Sequence, residues 1–136
     1  MKILFVCLGN AYRSPVAEAL LKKLNPKIEA DSAGTYPAIP ISEAAKRYLA
    51  KENALKFLKH SPEGLDDKNL ESYDMIITME PRHKEAVLKK CEQCRSKITV
   101  WNIDDPYFLP HGNTENIFAQ IKQKVEDLSN SLRENH

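Results

Sequence analysis

A cysteine and an arginine stand six positions apart near the start of the chain, at Cys7 and Arg13. The apolar run 3–6 predicts a buried strand that ends at Cys7, and the residues after position 14 predict a helix. A loop in front of a helix N-terminus is a ready anion site, and the arginine offers a planar fork for two oxygens of a tetrahedral oxyanion. The helix end and the arginine both favour the thiolate form of Cys7, which would be a nucleophile for phosphoryl transfer.

The connection between this strand and helix has the composition of an anion-binding loop. Gly9 and Asn10 tolerate the left-handed backbone that converging N–H groups require. Ser14 is a good helix N-cap, and Pro15 suits the first helical position because its missing N–H is not needed there. The sequence therefore predicts a phosphate-binding loop made of Leu8, Gly9, Asn10, Ala11, Tyr12 and Ser14.

The string 6–18, VCLGNAYRSPVAE, resembles the signature of the low-molecular-weight protein tyrosine phosphatases, V-C-x-G-N-x-C-R-S-P-x-A-E. The resemblance extends over nearly the whole chain and implies a catalytic Cys7 and Arg13. It also implies an α/β domain with a four-stranded parallel sheet in the order 2-1-3-4 and helices on both faces. Tyr12 replaces a cysteine that in the family can form a protective disulfide with the nucleophile, so we expect that adjacent redox switch to be absent.

Two further segments take their interpretation from the same resemblance. The segment 31–35 matches the family's D-S-A-G-T, and Ser32 would support the phosphate loop from outside. His60 lies where the family has a histidine that hydrogen-bonds the loop asparagine. The resemblance therefore implies a polar net in which Ser14, Ser32 and His60 hold Asn10 in a strained conformation.

The resemblance also supplies a general acid and the walls of a substrate cleft. Asp105 precedes Pro106, as in the family's D-P-Y motif, and would protonate the departing phenolic oxygen. Pro106 holds Asp105 extended, and the neighbouring Asp104 would point elsewhere. The cleft walls are expected to be Tyr36, Ile39, Tyr107 and Phe108.

Short apolar segments alternate with helical patterns along the chain, which is typical of a parallel sheet with helices on both faces. The predicted strands are 2–6, 28–30, 75–79 and 98–101. The predicted helices are 15–24, 42–51 with Ser42 as its cap, 66–72, 81–90 and 115–133.

Composition excludes several classes of protein. The chain has 136 residues, enough for one compact domain, 1–136, with its own core. Its formal net charge of +1 gives no reason to expect a nucleic-acid or membrane-surface partner. It has no apolar run of transmembrane length and no signal-peptide pattern, and its three cysteines are an odd number, so we expect a reducing, cytoplasmic setting.

The pair Cys91 and Cys94 is the second cysteine feature of the sequence. Cys-x-x-Cys can be half of a zinc site or a redox couple, but the chain has no second pair to complete a tetrahedral site. A local disulfide is a further alternative. The interpretation we favour is a helix-end pair without a catalytic role.

Together these features predict a phosphatase that hydrolyses aryl phosphate monoesters through a cysteinyl-phosphate. Its substrates would be phosphotyrosine proteins or small aryl phosphates, and inorganic phosphate would be a product. The resemblance implies no metal or other cofactor, because Arg13 and the loop backbone supply the positive charge. A thiol-coupled arsenate reductase of the same fold, with Cys91 and Cys94 as relay, and a phosphate-binding module without turnover are the alternatives.

Overall fold

The computed structural model describes residues 1–106 and 114–134. Short 3-10 turns at Leu55–Phe57, Leu65–Asp67, Leu70–Ser72 and Glu92–Lys97 join the longer elements. In chain order these elements are β1 (Lys2–Cys7), α1 (Arg13–Leu24), β2 (Glu29–Gly34), α2 (Glu43–Lys51), β3 (Met75–Thr78), α3 (Pro81–Lys90), β4 (Ile98–Val100) and α4 (Thr114–Glu134).

The strands form one parallel sheet in the order β2-β1-β3-β4, which confirms the predicted topology. β1 lies in the interior of the sheet, with β2 on one side and β3 on the other. Its carboxyl end, Cys7, pairs with Gly34 at the end of β2. Cys7 therefore lies at the edge where open α/β sheets bind their ligands.

Alternate residues of β1 enter two separate cores, one on each face of the sheet. Ile3, Phe5 and Cys7 belong to the core under α1, α2 and α4. Leu4 and Val6 belong to the other core, which is closed by α3 and the 3-10 turns between β2 and β3. Each of these side chains is at most 3% exposed, as expected for a central strand of a parallel sheet.

α4 packs against α1 and shows the apolar spacing that the sequence predicts for 115–133. Apart from the adjacent Ile117 and Phe118, its core-facing residues follow one another at intervals of three or four positions when Leu128 is included, which places them on one side of the helix. They are Ile117, Phe118, Ile121, Val125 and Leu132, with Leu128 partly buried beside them. Within the described ranges, none of the helices combines the length and apolar character needed to cross a bilayer.

The start of α1 differs from the prediction. The helix begins at Arg13 rather than Pro15, and Tyr12 occupies the N-cap position without a capping hydrogen bond from its side chain. Ser14 is therefore not the N-cap, because its hydroxyl contacts Cys7 and Asn10 instead. Pro15 still lies within the first turn, where backbone N–H groups have no partner inside the helix.

Two other boundaries also move. β2 runs to Gly34, beyond the predicted 28–30, because its register with β1 continues through the polar Asp31 and Ser32. The predicted helix 66–72 is instead a pair of 3-10 turns, Leu65–Asp67 and Leu70–Ser72. By contrast, the predicted helix 81–90 and the Ser42 cap are confirmed, since the Ser42 hydroxyl accepts a hydrogen bond from the Ala45 N–H.

Cys91 and Cys94 form a disulfide, so the structure favours the local disulfide that we gave as an alternative to a simple helix-end pair. After α3 the chain turns into a 3-10 segment that brings the two Cα atoms to 5.4 Å, within the usual range for a disulfide. Both residues are buried in the core on the α3 side of the sheet. Cys7 is left as the free cysteine of the chain.

Candidate active site

Cys7 Sγ lies inside the predicted loop and is surrounded by hydrogen-bond donors. The Asn10 backbone N–H donates to it at 3.3 Å, and the Ser14 hydroxyl oxygen lies 2.9 Å away. The Asn10 side-chain amide donates to the Ser14 oxygen at 2.8 Å, which leaves the Ser14 hydroxyl hydrogen free to point at the sulfur. Both contacts stabilise negative charge on Cys7.

Asn10 holds the conformation of this loop. Its φ is 53°, in the left-handed region, and its side chain is fully buried. The side-chain amide donates to both Ser14 and Ser32 Oγ, at 2.8 and 2.9 Å. Its oxygen accepts from Lys59 Nζ and from the Glu63 backbone N–H, each at 2.8 Å. Four hydrogen bonds thus fix one residue whose backbone is otherwise unfavourable.

The prediction for His60 was wrong, because Lys59 occupies the place next to Asn10. Lys59 Nζ also donates to the carbonyl oxygen of Ser32 at 2.9 Å and pairs with Glu63 at 2.8 Å. Its side chain is 8% exposed, whereas His60 is exposed. The segment after the turn at Leu55–Phe57 therefore points its lysine, and not its histidine, at the loop.

The hydrogen bonds behind the loop continue into charged pairs. On one side, Ser32 Oγ donates to the buried Glu18, which pairs with Lys22 at 2.6 Å. On the other side, Lys68 bridges Glu63 and Asp31, each at 2.9 Å.

Asp31 is the outer end of this network and also accepts from the Tyr73 hydroxyl at 2.6 Å. Burial opposes ionisation of Asp31, but the hydrogen bonds from Tyr73 and Lys68 outweigh it and lower its pKa. Burial and the bond to Asp31 raise the pKa of Tyr73. Tyr73 therefore stays protonated and acts as the donor.

Gly34 allows the loop to rest directly on β2. A Cβ at this position would lie 2.8 Å from Leu8 O, 2.9 Å from Asn10 N and 2.9 Å from Gly9 C. The backbone N–H groups of the next two residues donate to Cys7 O and Leu8 O at 3.0 and 2.8 Å. The glycine of the segment 31–35 is thus required by close backbone approach.

Arg13 is 1% exposed and is fixed by two short hydrogen bonds through one nitrogen. Nη1 donates to Glu80 Oε2 at 2.6 Å and to Ile103 O at 2.7 Å, which uses both of its hydrogens. Nη2 lies 3.5 Å from Asp105 Oδ2. The Nε and Nη2 edge of the guanidinium, which faces the Asp105 carboxyl group, presents two N–H donors in the geometry that two oxygens of a phosphate require.

Glu80 is a site residue that our sequence reasoning missed. It follows β3, and since β3 is the neighbour of β1, its carboxylate reaches the same edge as Cys7. Burial opposes ionisation, but Arg13 and Arg82 lower the Glu80 pKa. The signal that could have found it is an acidic residue directly after a strand predicted to lie beside the first.

Asp105 lies next to Arg13 and Arg82. Its side chain is 10% exposed, and Oδ2 is 3.5 Å from Arg13 Nη2 and 3.9 Å from Arg82 Nη2. The neighbouring Asp104 is exposed. Two of the predicted wall residues, Tyr107 and Phe108, lie outside the described residues.

A cleft of about 190 Å³ is lined by residues of the loop together with Cys7, Arg13 and Asp105, and Cys7 and Arg13 are almost fully buried. Tyr36 and Ile39 also line this cleft, and Tyr36 is 72% exposed. The remaining contributors are apolar or aromatic: Leu8, Gly9, Ala11, Tyr12 and Ala38. A narrow apolar cleft ending in a thiol and an arginine is suited to a flat group that carries a phosphate. No cluster of His, Cys, Asp and Glu able to hold a metal ion occurs in the part of the chain that the structure describes.

Comparison with known proteins gives one consistent family. The model of the family "Low molecular weight phosphotyrosine protein phosphatase" matches residues 2–136. The low molecular weight protein-tyrosine-phosphatase Wzb of Escherichia coli strain K12 is 33% identical over 138 residues, covering 96% of this chain and 94% of that protein. A protein-arginine-phosphatase of Bacillus subtilis strain 168 is 29% identical over 144 residues, covering 97% and 94%.

A solved structure agrees with these relatives. The Vibrio vulnificus Wzb structure in complex with benzylphosphonate superposes with a TM-score of 0.83 at 29% identity. The superposition covers 96% of this chain and 97% of that one.

Proposed function

The chain belongs to the low molecular weight phosphotyrosine protein phosphatase family, and on that basis we propose that it is a cysteine-dependent protein tyrosine phosphatase. It hydrolyses aryl phosphate monoesters through a cysteinyl-phosphate. The observation that carries the proposal is one cleft lined by Cys7, Arg13 and Asp105.

In the first step the Cys7 thiolate attacks phosphorus, so that an S–P bond forms as the bond from phosphorus to the tyrosyl oxygen breaks. The Ser14 hydroxyl and the Asn10 N–H hold the thiolate before attack. The backbone N–H groups of Gly9, Ala11 and Tyr12 donate to no acceptor among the described residues and can bind phosphate oxygens.

Arg13 binds two of these oxygens through Nε and Nη2, while Glu80 and the Ile103 carbonyl retain Nη1. The guanidinium is therefore oriented before substrate arrives, and little rearrangement is needed when charge develops on the transferred phosphoryl group.

Asp105 supplies and then removes the proton. As a carboxylic acid it protonates the departing phenolate oxygen. As the resulting carboxylate it takes a proton from water, whose oxygen attacks the cysteinyl-phosphate. The S–P bond breaks, inorganic phosphate leaves and the thiolate is restored.

The test is phosphate release, without added metal and with a chelator, from peptides carrying phosphotyrosine, phosphoserine or phosphoarginine. We expect turnover of phosphotyrosine by the native chain and none by Cys7→Ser. Turnover confined to phosphoarginine would instead assign the activity for which the Bacillus subtilis relative is named. Retention of turnover by Cys7→Ser would overturn the nucleophile assignment.

Asp105→Asn tests the acid, and Asp104→Asn is its matched control because that neighbouring carboxylate is exposed. We expect Asp105→Asn to slow esters with poor leaving groups much more than activated ones, and Asp104→Asn to leave both near the native rate. An equal loss on both classes of ester would contradict an acid role for Asp105.

Two alternatives have less support. A thiol relay for arsenate reduction needs cysteines that can reach Cys7, but Cys91 and Cys94 are bonded to each other in the core on the opposite face of the sheet. A binding module would not need both a thiol and a carboxyl group in its cleft. Arsenate reduction dependent on a thiol reductant, or phosphate binding without release from any ester, would identify them.

The proposed catalytic domain spans 1–136, and the family match over residues 2–136 supports this extent. We place it in the cytoplasm, acting on phosphotyrosine proteins or small aryl phosphates. The apolar lining of the cleft supports an aromatic group next to the phosphate.

A further inference from the structure

His83 is a buried polar side chain that the proposed catalytic steps do not use. It lies in the first turn of α3 and is 1% exposed. Its Nδ1 accepts a hydrogen bond from the Glu80 backbone N–H at 3.1 Å. A ring nitrogen that accepts carries no proton, so the neutral imidazole has its hydrogen on Nε2.

That Nε2–H group has no hydrogen-bond partner among the described residues, although it is buried. Buried donors without acceptors are rare in folded proteins because their desolvation is not compensated. The carboxylate oxygen Oε2 of Glu80 lies 3.8 Å from Nε2, slightly beyond hydrogen-bond distance. The same oxygen accepts from Arg13 and from Arg82 Nη2.

The charges around the ring keep it neutral. Burial, followed by the positive charge of Arg13, lowers the pKa of His83 to about 4, and Arg82 acts in the same direction. Glu80 opposes them with its negative charge. Protonation would also place a hydrogen on Nδ1 against the Glu80 N–H. The Nε2–H tautomer is thus the form present near neutral pH.

We propose that His83 is a positioning residue for Arg13 that acts through Glu80, an inference that rests on the proposed function. When a phosphate group competes for the guanidinium, the bond from Arg13 Nη1 to Glu80 Oε2 weakens. The Nε2–H of His83 then closes on that oxygen and holds the carboxylate in place. Arg13 remains anchored through Nη1 while its other edge binds the phosphate.

Three substitutions separate this role from simple support of the helix. His83→Asn keeps an acceptor near the position of Nδ1 but has no donor near Nε2. His83→Gln can accept from the Glu80 N–H, as glutamine does at this position of a capping box, and also brings an N–H₂ group. His83→Leu removes both functions.

We expect kcat/KM on a phosphotyrosine peptide to fall about tenfold in His83→Asn, with the inhibition constant of inorganic phosphate rising in parallel. His83→Gln should restore both values to within about threefold of the native chain, and the two variants should unfold at similar temperatures. Native turnover and phosphate affinity in His83→Asn would overturn the proposal, even if His83→Leu fails to fold.

A spectroscopic measurement tests the contact itself. In a ¹⁵N-labelled native chain we expect the His83 ring in the Nε2–H form, with its proton resonance moving downfield when inorganic phosphate is added. His60, which is exposed, is the control ring. A proton on Nδ1, or an unmoved Nε2–H resonance in the phosphate-saturated protein, would overturn the proposal. Because this readout needs phosphate binding and not turnover, it separates failure here from failure of the proposed catalytic activity.

Discussion

The two sides of the site are held by different kinds of interaction. Behind the loop, Asn10 is fully buried and makes four side-chain hydrogen bonds, to Ser14, Ser32, Lys59 and the Glu63 N–H. In front of it, Arg13 faces carboxylates, and the second cation there, Arg82, has a side chain that is 50% exposed. At the rear, mainly neutral hydrogen-bonding groups surround Asn10 and most of the ion pairs lie further out, whereas at the front the ion pairs are made by Arg13 itself.

This difference corresponds to what each side does in the proposed reaction. The loop backbone has to keep one shape from substrate binding to phosphate release, and the fixed network behind it preserves that shape. Arg13 has to engage a phosphate, and Asp105 has to lose and regain a proton. Charged groups that share oxygens, as around Glu80, can exchange partners with little movement.

The largest effect is expected from Gly34→Ala, which disrupts the packing of the loop against β2. Its Cβ would meet backbone atoms of the loop at 2.8–2.9 Å, so the loop must shift. We expect kcat to fall about a thousandfold and the free energy of unfolding to fall by about 2–4 kcal/mol. Gly64→Ala is the control, because its Cβ would have its nearest neighbour at 3.6 Å. Steady-state kinetics and urea denaturation of the two variants measure these effects. A fully active Gly34→Ala variant would contradict the close packing of the loop at this position.

A smaller effect is expected at the front from Glu80→Gln. The neutral amide keeps the shape but removes the charge that holds Arg13, so we expect kcat/KM to fall about 10- to 100-fold. The control is Glu115→Gln, which changes an exposed carboxylate paired with Lys51. Loss confined to thermal stability, with native kinetics, would show that Glu80 does not orient Arg13.

Lys59→Met tests how much a single charged residue contributes to the hydrogen-bond network behind the loop. The Asn10 amide oxygen and the Ser32 carbonyl each lose a donor, and the Glu63 carboxylate loses a partner. We expect kcat to fall about tenfold, with a loss of about 1–3 kcal/mol in the free energy of unfolding. Lys56→Met is the control on an exposed lysine nearby. Equal kinetics of the two variants would mean that the other three hydrogen bonds suffice for Asn10.

The last prediction concerns stability and not turnover: the free energy of unfolding should depend on pH through His83. His83 has a usual pKa of 6.5 in the unfolded chain and about 4 in the folded one, so between these values only the unfolded chain binds the proton. The free energy of unfolding of the native chain should therefore decrease, relative to His83→Gln, as the pH falls from 6.5 to 4. The relative loss is at most about 3 kcal/mol. Denaturant titrations at several pH values measure it, and parallel curves for the two proteins would contradict a neutral buried ring.

Sequence reasoning was most successful where the determining residues are close together in the chain. The strand, the loop and the helix of 6–18 follow one another, and the structure brings Asp105 to the same cleft. Only the capping role of Ser14 was misjudged, because serine is a common N-cap; its contact with Asn10 agrees with the polar net that the resemblance implied.

The remaining errors concern residues that are distant in sequence. The choice between Lys59 and His60 depends on which way an irregular segment turns as it crosses behind the loop, and no side-chain period fixes that direction. Identifying Glu80 as a site residue would have required combining the predicted strand order with the position of an acidic residue at a strand end. The bond between Cys91 and Cys94 depends on a 3-10 turn that was not predicted.

The disulfide has a consequence for oxidative damage. If peroxide converts Cys7 to a sulfenic acid, the usual route back is condensation with a second thiol. The position before Arg13, where a cysteine would lie close to Cys7, is occupied by Tyr12. The other two cysteines are bonded to each other on the opposite face of the sheet. Any thiol that condenses with the oxidised sulfur must therefore come from outside the chain.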